Sequence, residues 1–171
     1  MPVPVRTLES VEDVRALEPL IREYFGFVCG EIERLFGVSI SPESEVERAL
    51  AHAEDVLPPR GKGFVVERRG APAGMVFIRP AGAETFEIKR LYVSPYLRGN
   101  GAGRTLVEHG VEAARTLGAR RIVLDSSKNL EDAARLYRSL GFDFCDPYEA
   151  SDHGGGGPLT PHMIFMEKWL D

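Results

Sequence analysis

Three glycines alternate with other residues in LRGNGAGRTLVEHG, at Gly99, Gly101 and Gly103, with Arg98 and Arg104 at the rims. The run follows an apolar stretch ending at Val93. It opens a helical pattern carried by Leu106, Val107, Val111, Ala114 and Leu117. Glycine lets main chain come close to a ligand and adopt positive φ. A helix start adds unpaired N–H groups and about half a positive charge. Together these make an anion seat, with phosphate the usual occupant, and the two guanidiniums would add charge-assisted bonds. The spacing is not that of a triphosphate loop, because no lysine follows the glycines. The dinucleotide pattern G-x-G-x-x-G fails at Arg104 and Leu106, although Asp125 stands about twenty residues on, where a ribose-binding acid would lie. Taken alone, the glycines would also serve a tight turn that binds nothing.

Other residues could move protons. Glu87, in ETFEIKRLYV, reads either as a base or as a strand carboxylate facing Lys89 or Arg90. Tyr137 falls with Ala133, Leu136 and Leu140 at i, i+3, i+4, i+7 spacing, which by itself describes a core aromatic. Glu84, His109, His153 and His162 are further candidate bases. HGGGGP, from His153 to Pro158, looks like an esterase oxyanion loop, but the chain has no G-x-S-x-G elbow to accompany it. It reads instead as a loop beside an acceptor pocket, with Tyr148, Glu149 and Asp152 placed to grip an acceptor or simply to meet solvent.

These residues need a scaffold. PVPVRTLE reads as a first strand, and Ser10 as the N-cap of a helix after it. Gly26 and Gly30 interrupt the next apolar pattern, which predicts two helices or one broken helix. SPESEVERAL opens a third helix running from Ser41 to Val56. FVVERR, AGMVFIRP and ETFEIKRLYV form three antiparallel strands. The remainder alternates: a helix from Gly101 to Leu117, the strand RRIVLDS, a helix from Asn129 to Leu140, the strand FDFCD and a final strand HMIFMEKWL. The expected fold is mixed α/β, one domain over residues 1–171, with a mostly antiparallel sheet of seven strands flanked by helices.

Composition narrows the class. A net charge of −5 argues against a nucleic-acid partner and favours a cationic one. The two cysteines, Cys29 and Cys145, read as reduced buried thiols, and no metal-site spacing occurs. With no apolar leader and no membrane-length run, the expected location is cytoplasmic.

LYVSPYLRGNGAGRTLVEHG resembles the signature of the GNAT acetyltransferases, R/Q-x-x-G-x-G/A, filled here by Arg98, Gly101 and Gly103. NLEDAARLYRSLGF is similar to the family's second coenzyme-binding segment, and MIFMEKWL to its last strand. The resemblance covers Phe64 to Gly141; before Phe64 it is topological only. It implies acetyl-CoA as co-substrate, its pyrophosphate seated on Arg98, Gly99, Asn100, Gly101, Ala102, Gly103 and Arg104. It also implies a splayed strand end at Leu91, Tyr92 and Val93, which would hold the pantetheine by backbone pairing and polarise the acetyl carbonyl.

By the same resemblance, Glu87 is the general base, and partial burial near the splay would suit it to accept a proton. Tyr137 would point its hydroxyl at the coenzyme sulfur and act as the acid, and Asn129 would cap its helix and bond the pantetheine arm. The implied reaction is acetyl transfer to a primary amine by direct attack in a ternary complex. Glu84, Glu87, Glu149 and Asp152 favour a cationic acceptor such as a polyamine, an aminoglycoside-like compound, a lysine or a peptide N-terminus. Family members often pair, so a homodimer is among the expected states. Two rivals stand beside this reading: a non-catalytic acyl-CoA-binding module of the same fold, and a different nucleotide-binding α/β protein.

Overall fold

The structure, a computed structural model, describes residues 3–171. The expected first strand begins at Pro2, outside the described residues; the observed β1 spans Val5–Thr7. β2 (Lys62–Arg68), β3 (Ala71–Gly82) and β4 (Thr85–Val93) form the expected antiparallel meander. β5 (Arg121–Ser127) then runs parallel to β4. The final strand, β7 (Met163–Trp169), inserts between β5 and the two-residue β6 (Asp143–Phe144), giving the order β1-β2-β3-β4-β5-β7-β6.

Side chains of a strand alternate between faces, and β3 is apolar on both. Val76 and Ile78 join one cluster with Leu106 and Val107 of α4 (Ala102–Thr116), while Met75 and Phe77 join another with Leu20, Ile21 and Phe25 of α2 (Glu18–Phe36). Helices therefore cover both faces of the sheet. Each fully buried side chain of this size contributes about 1.5–3 kcal/mol, so the two clusters fix which face each helix covers. Gly110 lets α4 lie close to the sheet: a Cβ there would stand 2.9 Å from Ile78 Cδ1.

Ser10 caps a short α1 (Val11–Arg15), its hydroxyl accepting the Asp13 amide at 3.2 Å. The sequence expectation of a break at Gly26 and Gly30 is corrected: α2 runs unbroken through both. Each glycine costs a helix about 1 kcal/mol, and the buried stripe of Leu20, Ile21, Phe25, Cys29 and Ile32 outweighs that. The third helix is shorter than expected. α3 spans Pro42–Ala51, capped by Ser41, and Ala53–Val56 tighten into a 3-10 turn. The last helix, α5, spans Glu131–Ser139. No helix among the described residues is long and apolar enough to cross a membrane.

Candidate active site

β4 and β5 pair only at their starts, Thr85 to Glu87 against Arg121 to Val123. Beyond that they part, and β5 remains paired to β7 alone. On its other edge β4 carries a bulge. Phe77 pairs with Lys89 and Met75 with Tyr92, so Arg90 and Leu91 together oppose Val76. Arg90 takes φ +54°, a left-handed conformation rare outside glycine. The expected splay is thus present, and the bulge lies beside it.

A groove of about 730 Å³ opens between α2, α4, α5 and the free end of β4. That is the size range of ligand clefts, roughly 300–1,000 Å³. Its wall includes Leu91, Tyr92 and Val93 of the splayed strand. Arg98, Gly99, Gly101, Ala102, Gly103 and Arg104 form its floor at the start of α4, and Asn129 stands opposite. Gly99 and Gly101 have φ of +84° and +85°, which explains both residue types. The amides of Gly103 and Arg104 meet no acceptor among the described residues, as expected at a helix start. Arg98 is fixed by Nε donating to the Val93 carbonyl at 2.9 Å and by the faces of Phe27 and Tyr92. Arg104 donates to Ser139 Oγ at 2.7 Å.

Two expected residues differ from their assigned places. Asn100 does not border the groove; its Oδ1 accepts the Ala102 amide at 3.3 Å, closing the turn from within. Asn129 does border the groove but is not the helix cap. α5 begins at Glu131 with Leu130 in the cap position, and the Asn129 side chain instead bonds Ser127 Oγ. Burial of Ser127 on β5 makes that nearer hydroxyl the better partner.

At the splay the groove meets a second, smaller cavity of about 110 Å³. Tyr24, Val28, Leu91, Leu130 and Ala133 border both. Tyr137 lies on the cavity side, 5% exposed, its ring set edge-on to Phe142. Burial, then the nearby Tyr24 and Asp125, push its hydroxyl well above the ordinary tyrosine range. Burial likewise raises Tyr24 to about 12. Both phenols therefore keep their protons to higher pH than an ordinary tyrosine. Lys89, Arg90, Asp125, Asp152 and His153 supply the polar wall.

Glu87 borders neither space. It is wholly buried rather than partly so, with Arg79 Nε donating to Oε2 at 2.8 Å and the Tyr148 hydroxyl donating to Oε1 at 2.8 Å. Lys89 Nζ stands 3.7 Å from the same Oε1 and donates to Asp152 Oδ2 at 3.0 Å. Arg79 reaches that Asp152 oxygen at 3.4 Å. This network ties the loop before β7 to β3 and β4. Burial alone would raise Asp152, but Lys89 and Arg79 outweigh it and hold the carboxyl at about 2.

Of the other sequence candidates, His153 reaches the cavity. His109 sits on α4 against Phe64, and His162 stacks on Phe36 at 4.2 Å. Glu84 occupies the β3–β4 turn. Sequence reasoning gave no place in the site to Tyr24, which helix α2 brings across. Asp125 was notable only for its distance from the glycines, yet it faces the cavity from β5 and accepts from Ser151 Oγ at 2.6 Å.

A family model described as the acetyltransferase (GNAT) family matches residues 21–142. The chain is 28% identical over 166 residues to an uncharacterized N-acetyltransferase of Schizosaccharomyces pombe, covering 96% of this chain and 93% of that one. It is 33% identical over 144 residues to an IAA acetyltransferase of Azospirillum brasilense, covering 82% and 86% respectively. Its fold is similar to that of the PaiA N-acetyltransferase from Thermoplasma acidophilum in complex with coenzyme A, with a TM-score of 0.70 at 18% identity over 99% of this chain and 100% of that one. A GNAT-family acetyltransferase from Staphylococcus aureus matches with a TM-score of 0.74 at 14% identity, over 98% and 100%.

Proposed function

The chain belongs to the GNAT acetyltransferase family and is an acyl-CoA-dependent acyltransferase, and from that premise we propose that it acetylates a primary amine by direct attack within a ternary complex. The observation that carries this reading is the meeting of two spaces at the β4–β5 splay: an anion-seating groove and a polar cavity bordered by Tyr137. The groove fits the coenzyme. Free amides at Gly103 and Arg104 and the glycine turn suit a pyrophosphate, and the open edge from Leu91 to Val93 suits an extended amide-bearing arm. Bound there, acetyl-CoA would supply an activated acetyl thioester.

The chain's residues then divide the work. Main chain at the Leu91 bulge would receive the carbonyl oxygen, where fixed N–H dipoles stabilise developing negative charge. The amine nitrogen forms its bond to the carbonyl carbon as the carbon–sulfur bond breaks. Tyr137, beside the junction, gives its proton to the departing sulfur as negative charge develops there, which offsets the weaker acidity that burial gives its hydroxyl. The amine's surplus proton goes to the Glu87 carboxylate. Because Glu87 is walled off by Arg79, Tyr148 and Lys89, that transfer runs through an intervening hydroxyl or water rather than by contact. A neutral phenol is then restored from solvent.

The test is calorimetry with coenzyme A followed by thiol release from acetyl-CoA over a panel of amines. Saturable binding with amine-dependent thiol release is expected. Binding without release for any amine would leave the non-catalytic module as the better description. No binding of coenzyme A would remove the groove's assignment.

A further inference from the structure

Among the charged groups on the cavity wall, one cation is unanswered. Arg48 is paired with Glu45 at 2.8 Å, and Lys89 with Asp152 at 3.0 Å. Arg90 has no carboxylate partner and no hydrogen bond among the described residues, and its Nε is fully buried. Its guanidinium rests only on the face of Phe25, 5.7 Å from the ring centre. Taking a cation out of water without a partner is costly, and burial lowers this guanidinium from the ordinary arginine value. The backbone bears a cost at the same residue, the positive φ of the bulge. Strained main chain thus holds an unpaired guanidinium at the wall of an internal cavity.

Across the splay stands the complementary group. Asp125 accepts a hydrogen bond from the Ser151 hydroxyl but forms no ion pair among the described residues. The last paired rung is Glu87 with Val123, and Arg90 of β4 and Asp125 of β5 both lie beyond it on the parting strands and line the cavity. Among the described residues the cavity therefore offers one unpaired cation and one carboxylate without a cation, carried by the two strands that part there. Its volume of about 110 Å³ equals that of roughly four liquid waters, enough for a small head group.

We propose that the acceptor is an amino acid-type compound, its carboxylate seated on Arg90 and its amine turned toward Asp125 at the mouth of the coenzyme groove. This deepens, and rests on, the acetyl-transfer reading. A planar guanidinium binds a carboxylate through two parallel N–H bonds, which fixes orientation as well as affinity. A decarboxylated amine would leave the buried Nε of Arg90 unpaired, so a plain polyamine fits this cavity less well than a zwitterion does.

The experiment compares free amino acids with their carboxamides and with the corresponding decarboxylated amines, using acetyl-CoA and following thiol release. The expected result is a preference of at least tenfold in kcat/KM for the free acids. Arg90→Gln should abolish that preference, mainly through KM, while Arg90→Lys keeps part of it and both variants bind coenzyme A as the parent does. Equal turnover of acids and amides, or a preference that survives Arg90→Gln, overturns the proposal and leaves acetyl transfer standing. If no amine is acetylated, titration of the same amino acids into coenzyme A-saturated protein decides. Binding lost in Arg90→Gln upholds the anion site though the transferase reading fails, and no binding to the parent overturns it.

Discussion

Arg79 and Glu87 are ladder partners on β3 and β4, and their side chains meet at 2.8 Å with the carboxylate wholly buried. Removing one partner of a buried pair costs about 3–5 kcal/mol, because the other charge is left uncompensated. Glu87→Ala is therefore expected to lose stability on that scale, softened by the second contact of Arg79 to Asp152. Glu87→Gln keeps an acceptor for Tyr148 and should lose less. Urea unfolding at neutral pH measures both. If Glu87 is also the base, Glu87→Gln removes the acidic limb of the pH–rate profile. A limb that persists assigns Glu87 to holding the loop alone.

Tyr137→Phe deletes one oxygen from a side chain that makes no hydrogen bond among the described residues. Stability and coenzyme affinity should stay near parent values, while turnover falls by about a hundredfold or more, the scale of general acid–base catalysis. Because burial, then Tyr24 and Asp125, raise this hydroxyl, it keeps its proton as the pH passes the ordinary tyrosine value of about 10. Turnover should therefore show no alkaline limb from Tyr137 at that pH. Parent-like rates in the variant would end its role as acid.

Gly103 separates folding from binding. It lies in α4 with ordinary helical φ, and an added Cβ would sit 3.5 Å from Leu136 Cδ2 and 3.9 Å from Val93 Cγ2, both normal contacts. Gly103→Ala should therefore fold and gain up to about 0.5–1 kcal/mol from helix propensity. All three residues border the groove, so the methyl group narrows it. Thermal melting should rise in the free protein while coenzyme affinity drops about tenfold, which is 1.4 kcal/mol. Unchanged affinity would mean that the ligand does not approach this turn.

Asp152 gives a pH dependence whose sign is set by its surroundings. Its carboxyl, ordinarily at 3.8, is held at about 2 in the fold once Lys89 and Arg79 outweigh burial. A carboxyl depressed on folding stabilises fully above its unfolded value, and that contribution is lost as the pH falls toward the folded one. The parent should thus lose stability between about pH 4 and pH 2 by an amount absent from Asp152→Asn. The effect should be modest, since the side chain is partly exposed and solvent screens the pair. Denaturant midpoints at stepped pH, parent against variant, check it.

Much of the site was legible because the features that build it are local. The alternation of Gly99, Gly101 and Gly103 before an amphipathic pattern sufficed to place the turn that opens α4, because positive φ and free helix amides are properties of a few consecutive residues. The meander, the helix after the glycine turn and the strand β5 come from hydrophobic period in the same way. Where sequence reading failed, a competing contact had overruled a local preference. The buried stripe of α2 carries Gly26 and Gly30 through a helix they would otherwise interrupt. Ser127 claims the amide side chain of Asn129, which would otherwise have capped α5.

The sequence by itself determined the α/β class, the glycine turn that opens α4 and which ionisable groups the strands carry. Only the tertiary structure decided what those groups face. Arg79 and Glu87 are far from Tyr148 and Asp152 in the chain, yet the four form one network because β7 inserts beside β5 and draws its preceding loop across the sheet. The same parting of β4 from β5 opens the cavity that Arg90 and Asp125 line together. Strand order and long-range pairing set which charges meet, and a charge's role depends on its neighbours in space rather than on those in sequence.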